Sequence, residues 1–176
     1  MPKKERLNRT TLQITLTAVF AALICLFTAL VKVPVGPGYV HFGDALLYLY
    51  AVLSGNWWAI LAGALGEGLA DIAGGYAAYA PFTAVIKALM ALVVVLIVRK
   101  VGNEKLLSWK TVLATLLAGV INVGGYFIVD YILYHVGAAV DVPGNLIQSG
   151  GSTVIFVILA LIFDKAKIKD RFFKKL

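Results

Sequence analysis

The sequence predicts an all-α fold, an integral membrane bundle of six transmembrane helices with both termini cytoplasmic. Three observations predict it. Of the 176 residues, 61% are hydrophobic. Only 14% are charged, where a soluble domain carries about 25%. All but two of the 16 Lys and Arg residues fall at the termini and in one loop, which would all lie on one side of a six-span bundle.

A helix needs about 20 apolar residues to cross the hydrocarbon. The chain accommodates spans at 11–33, 43–54, 57–75, 81–100, 111–135 and 144–164, as one membrane domain over 1–176 with no separate soluble part. The first span follows the basic segment Met1 to Thr10. It is span-length and lacks a small-residue cleavage site, so it reads as a retained helix rather than a signal peptide. Cys25, the single cysteine, lies inside it and reads as a packing residue. The stretch from Pro34 to Gly43 contains two prolines and three glycines, which predicts a loop. The second span is short for a full crossing. It is expected to be tilted, half-buried, or nearly continuous with the third through Ser54-Gly55-Asn56. Gly74-Gly75-Tyr76 ends the third span, and Pro81 opens the fourth at a favoured first-turn position. Gly137 to Gly144 separates the fifth from the sixth.

Lys and Arg residues concentrate in cytoplasmic loops. Lys3, Lys4, Arg6 and Arg9 precede the first span, Arg99, Lys100, Lys105 and Lys110 follow the fourth, and a basic tail follows the sixth. Only Lys32 and Lys87 fall elsewhere. The termini are therefore expected inside, with the loops near 34–43, 75–80 and 136–143 outside. The net charge of +7 is explained by this distribution, without nucleic acid as a partner.

Charged groups within a span are costly and are functional candidates by default. Glu67 and Asp71 are four residues apart near the outer end of the third span, so they share a helix face. Lys87 lies at a depth matching Glu67 on the next helix, which makes the two plausible partners. Asp44 opens the second span, and Asp130 sits near the outer end of the fifth. Asn145 and Gln148, with Ser149 and Ser152, line the start of the sixth, and Asn122 lies near mid-membrane. The loop above carries Tyr39 and His41, and Tyr79 lies in the next outer loop. By contrast, Ala88–Val98 and Val154–Ile162 are wholly apolar. A channel would need polar groups along its full depth. The pattern instead describes a pocket open outward and sealed below.

Simpler readings stay open for these residues. Glu67 with Lys87 also reads as a structural ion pair, and Asp44 as a helix N-cap. His41 and His135 read equally as solvated interfacial residues. Tyr76, Tyr79, Trp57 and Trp58 read as interfacial aromatics, although Tyr39, Tyr76 and Tyr79 also suit stacking on a flat ring. No metal-ligand spacing occurs, so neither a metal nor a cofactor is expected. Small residues mediate close helix contacts in lipid. Ala62, Gly66, Ala70 and Gly74 form such a stripe for internal packing. Ala18 and Ala22 form a shorter one, for internal packing or for a partner helix.

The chain resembles the substrate-binding (S) component of energy-coupling factor (ECF) transporters, the vitamin importers of bacteria and archaea. The resemblance rests on Pro37-Gly38-Tyr39-Val40-His41-Phe42-Gly43-Asp44-Ala45 and on the small-rich Gly63–Gly75 segment with Glu67 and Asp71. It extends to Tyr79-Ala80-Pro81-Phe82-Thr83 leading to Lys87. Ala18-Val19-Phe20-Ala21-Ala22 is similar to the family's alanine motif, which docks the transmembrane coupling protein. The resemblance implies a plasma-membrane receptor that binds a vitamin from outside. It would be covered by the first outer loop and work with the coupling protein and two ATPase subunits. It would not be an enzyme itself. The nearest subgroup takes pyridine or pyrimidine precursors such as pyridoxine or hydroxymethylpyrimidine. Receptors for cobalamin, riboflavin and pantothenate share the general pattern. Readings from other classes are a small intramembrane enzyme using Glu67, Asp71 and Lys87, and a passive channel.

Overall fold

The computed structural model describes residues 3–35, 38–101, 105–135 and 139–173. The described residues form six helices: α1 Lys3–Leu30, α2 Gly43–Ser54, α3 Trp58–Ala73, α4 Ala80–Val101, α5 Trp109–Tyr134 and α6 Val142–Lys165. Strands β1 Lys32–Val35 and β2 Gly38–His41 lie between α1 and α2, and a short helical turn, Lys169–Phe173, follows α6. Among the described residues, four stretches are long and apolar enough to cross a membrane: Arg9–Leu30, Ala80–Lys100, Trp109–Tyr134 and Val142–Lys165.

The segment expected to be a loop is instead an antiparallel hairpin. Lys32 pairs with His41, Val33 with Val40, Pro34 with Tyr39, and Val35 with Gly38. The hairpin also ends α1 at Leu30 rather than at the expected Val33. Pro34 lacks an N–H to donate, and a two-stranded ribbon is all edge, so the ladder tolerates it. Gly36 and Pro37 lie outside the described residues, as does Gly137 of the loop after α5.

Helices α1, α3, α4, α5 and α6 form an arc in which each packs on the next. α2 lies inside this arc and packs on α1, α3, α4 and α6. Nearly all of α2 is buried, from Gly43 through Leu53 with only Leu46 partly exposed. A helix apolar on every side belongs in an interior, which accounts for its length. Its 12 residues rise about 18 Å, less than the ~30 Å of hydrocarbon, because its ends meet protein. The hairpin precedes it. At its far end Gly55 adopts φ 54, the left-handed conformation that closes helices, and the chain turns directly into α3.

The small stripe of α3 packs internally. A Cβ on Gly66 would lie 2.7 Å from Ile24 Cβ and 2.8 Å from the Ala21 carbonyl, so α1 and α3 touch backbone to backbone. Ala62 and Ala70 are buried beside it. Gly74 is exposed at the helix end and does not continue the stripe. Ala18 and Ala22 face outward from α1. The outer faces of the arc expose large apolar residues, among them Leu30, Leu65, Val85, Val120, Ile128 and Val154, as lipid-facing helices do.

The end opposite the hairpin is closed by polar ties. Ser108 and Thr111 form a reciprocal capping box at the start of α5. The Asp164 carboxylate of α6 accepts from the backbone N–H of Leu106 at 2.8 Å and of Leu107 at 2.9 Å.

Candidate functional site

At the hairpin end, a cavity of about 300 Å³ lies among α3, α4, α5 and α6. α3 contributes Glu67 and Asp71. α4 and the turn before it contribute Tyr76, Tyr79 and Lys87. α5 contributes Asn122, Tyr126, Asp130 and Tyr134, and the α6 region contributes Asp141, Gly144, Asn145 and Gln148. His41 and Thr28 complete the lining. Tyr76 and Tyr134 are well exposed at the mouth, while Glu67, Lys87 and Asn122 are buried at the base. Beyond Lys87, α4 continues as an apolar buried face of Met90, Ala91, Val94, Val95 and Val98.

The base is organised by Lys87. Its ammonium donates to Asp44 Oδ1 at 2.6 Å and to Asn122 Oδ1 at 2.8 Å, and lies 5.4 Å from the centre of the Tyr126 ring. The expected pairing of Glu67 with Lys87 is therefore corrected: the partner is Asp44. The N-cap reading of Asp44 is corrected with it. Phe42 holds the N-cap position and makes no side-chain cap, and Asp44 is fully buried on α2 facing α4 and α6. Asp44 stands behind the cavity wall, bonded to lining residues without lining it.

Gln148 ties this base to the hairpin. Its amide oxygen accepts from the His41 N–H at 2.7 Å, and its Nε2 donates to the His41 carbonyl at 3.2 Å and to Asp44 Oδ2 at 2.8 Å. His41 is buried rather than solvated at the interface. Its Nδ1 accepts from the Gly43 N–H at 3.2 Å, which places the ring proton on Nε2, 3.8 Å from Glu67 Oε2. Burial pushes the imidazole down to about 4, although Asp44 opposes this, so His41 is neutral at pH 7.

Nine of the expected residues meet at this cavity: His41, Glu67, Asp71, Tyr79, Lys87, Asn122, Asp130, Asn145 and Gln148. The Tyr39 side chain lies outside the described residues. Ala18 and Ala22 lie on the outside of α1, away from the cavity. Sequence reasoning passed over Tyr126, Thr28, Tyr134 and Asp141. A signal for two of them was present, because Asn122, Tyr126, Asp130 and Tyr134 follow one another every fourth residue and so share a helix face. Thr28 and Asp141 reach the cavity through the tertiary fold and had no such signal.

The lining carries four carboxyl groups, on Glu67, Asp71, Asp130 and Asp141. The ammonium of Lys87 already serves Asp44. Such a cavity disfavours an anionic ligand and suits a neutral or cationic one rich in N–H or O–H donors. Tyrosines at the mouth add flat apolar surface, with Tyr79 and Tyr134 ring centres 6.2 Å apart. Among the described residues, no group of three His, Cys, Asp or Glu side chains is placed to hold a metal ion.

Residues 8–165 match the family model described as ECF-type riboflavin transporter, S component. A Pyrococcus woesei protein, described as an uncharacterized protein in gap 3′ region, is 35% identical over 141 residues. That match covers 78% of this chain and 92% of the other.

Removing one member of a buried ion pair strands the other, at a cost of about 3–5 kcal/mol. Lys87→Met is expected to lower the thermal unfolding midpoint in detergent strongly. Adding Asp44→Asn to Lys87→Met should recover more than half of the loss. Equal midpoints for the single and double variants would show that the pair does not hold the base together.

Proposed function

The chain belongs to the S-component family of ECF-type riboflavin transporters, and we propose that it captures a small heteroaromatic vitamin or vitamin precursor for import. Members of that family are transporter binding subunits rather than enzymes, and four long apolar helices make this chain a multi-pass membrane protein. The observation that carries the reading is the one-ended cavity: polar and acidic from its mouth to Lys87, and apolar beyond.

On this reading the hairpin end faces outside a bacterial or archaeal plasma membrane. The bundle makes six crossings, the interior α2 among them, and both termini are cytoplasmic. The basic residues before α1, between α4 and α5 and after α6 support that orientation. ATP is hydrolysed by two partner ATPases acting through a transmembrane coupling protein. The outward placement of Ala18 and Ala22 supports docking of that coupling protein on α1, since small side chains let helices approach closely.

The proposed ligand is pyridoxine, hydroxymethylpyrimidine or a close relative. Their single six-membered ring suits a cavity of about 300 Å³, at the small end of ligand pockets. Their hydroxyl and amino groups suit its acidic wall. The same wall counts against carboxylate-bearing vitamins such as pantothenate. Riboflavin is the second reading, favoured by the description of the matching family.

Equilibrium titration of the purified chain against a vitamin panel tests the function. Binding without ATP or partners is expected, and no binding to any member would contradict it. Ala18→Trp and Ala22→Trp should each abolish uptake in cells carrying the full transporter while leaving the binding constant within about threefold, since neither residue touches the cavity. A comparable loss of binding would place the stripe in internal packing instead.

A further inference from the structure

Gln148 lines the cavity, yet its amide is already committed within the fold. The residue is 4% exposed. Its Nε2 lies 2.8 Å from Asp44 Oδ2, 3.1 Å from Ser152 Oγ and 3.2 Å from the His41 carbonyl. An amide nitrogen carries two hydrogens, so no donor remains for a ligand. Its oxygen accepts from the His41 N–H at 2.7 Å.

The two bonds to His41 have a particular form. In an antiparallel ladder, a hydrogen-bonded residue exchanges both its N–H and its C=O with one residue of the neighbouring strand. At His41 both backbone groups meet the Gln148 amide, which is set against β2 as the peptide of a further strand would be. Two more contacts hold β2 in place. His41 Nδ1 lies 3.3 Å from Thr28 Oγ1 of α1. A Cβ on Gly151 would lie 3.8 Å from Val40 Cγ1, so β2 also rests on α6. Strand β2 is thereby fixed to β1, α1 and α6. The mouth of the cavity is rimmed by other elements, through Tyr76 and Tyr134 at 46% and 58% exposure.

Resting on the reading of the chain as a receptor, we infer that Gln148 is a positioning residue that latches β2 to α6, making the hairpin a fixed wall of the binding site. The ligand enters past Tyr76 and Tyr134 and binds without β2 leaving α6. Gln148 acts through His41 and Asp44 rather than by touching the ligand.

A disulfide can stand in for the latch. Val40→Cys and Gly151→Cys, in a Cys25→Ala background, put two thiols within bridging distance. The purified full chain in detergent is titrated with pyridoxine, 4-amino-5-hydroxymethyl-2-methylpyrimidine and riboflavin, before and after oxidation. The cysteines are expected to crosslink, leaving the affinity for whichever probe binds within about threefold, as a preformed site requires. Adding Gln148→Ala should weaken binding at least about tenfold in the reduced form. Oxidation should restore most of that loss, because the crosslink supplies the position the amide no longer holds. Loss of binding on crosslinking with Gln148 intact would show that the hairpin must open, and would overturn the inference. So would a folded Gln148→Ala chain that oxidation does not rescue, since Gln148 would then be a ligand contact. Failure to crosslink would contradict the seating of β2 on α6. The arm with Gln148 intact stands by itself if Gln148→Ala fails to fold. Hydrogen exchange of the ligand-free wild type decides the latch apart from any vitamin. The β2 amides are expected to be protected at least about 100-fold relative to an unfolded peptide, and exchange at the unfolded rate overturns the latch. Protection together with failure of all three probes to bind would overturn the vitamin reading and leave the latched wall standing.

Discussion

An ammonium and a carboxylate, 2.6 Å apart and almost wholly buried, set the terms for the rest of the bundle. Charges withdrawn from water are tolerated only when paired and surrounded by further hydrogen bonds. Here the partners come from four helices. α2 supplies Asp44, α4 supplies Lys87, α5 supplies Asn122 and α6 supplies Gln148. Each helix must hold its height and rotation for the network to close. Such a network specifies register where lipid-facing Leu and Val side chains leave it loosely determined. The same network reaches the hairpin, because Gln148 bonds both backbone groups of His41. The base of the cavity and the hairpin are thus joined in one hydrogen-bonded unit.

Much of the bundle was legible in the sequence, and the reasons are specific. Apolar runs bounded by Gly and Pro marked the helices. The four-residue spacing of Glu67 and Asp71 put them on one face, and depth set Lys87 level with Glu67, Gln148 at the outer start of α6 and Asn122 near mid-membrane. What failed was pairing. Depth reasoning matched Lys87 with Glu67 because both sit about two turns from the same end. It had no means of seeing that α2 lies inside the arc and brings Asp44 closer. The interior position of α2 was itself implicit in its sequence, since Ala45 to Leu53 has no polar face for solvent. The hairpin was missed because two prolines and three glycines between residues 34 and 43 read as breakers of structure. The alternating Val31, Val33 and Val35 pattern was too short to outweigh them.

The polarity of the cavity is graded. Tyrosines crowd the mouth, carboxylates line the wall, the Lys87 network closes the base, and α4 continues below as a buried aliphatic face. A receptor is well served by this arrangement. A ligand entering there would meet fixed polar groups in a region of low dielectric where they act strongly, with the buried aliphatic face of α4 past Lys87. This accords with a family of binding subunits rather than channels.

Single-cysteine accessibility tests the closed base most directly. In a Cys25→Ala background, Asn145→Cys near the mouth and Val94→Cys beneath Lys87 would each be exposed, in intact cells, to a membrane-impermeant thiol reagent. The account predicts rapid labelling at position 145, slowed by bound ligand, and none at position 94. Equal labelling at the two positions would show that water passes the Lys87 layer, and would contradict a receptor sealed at its base.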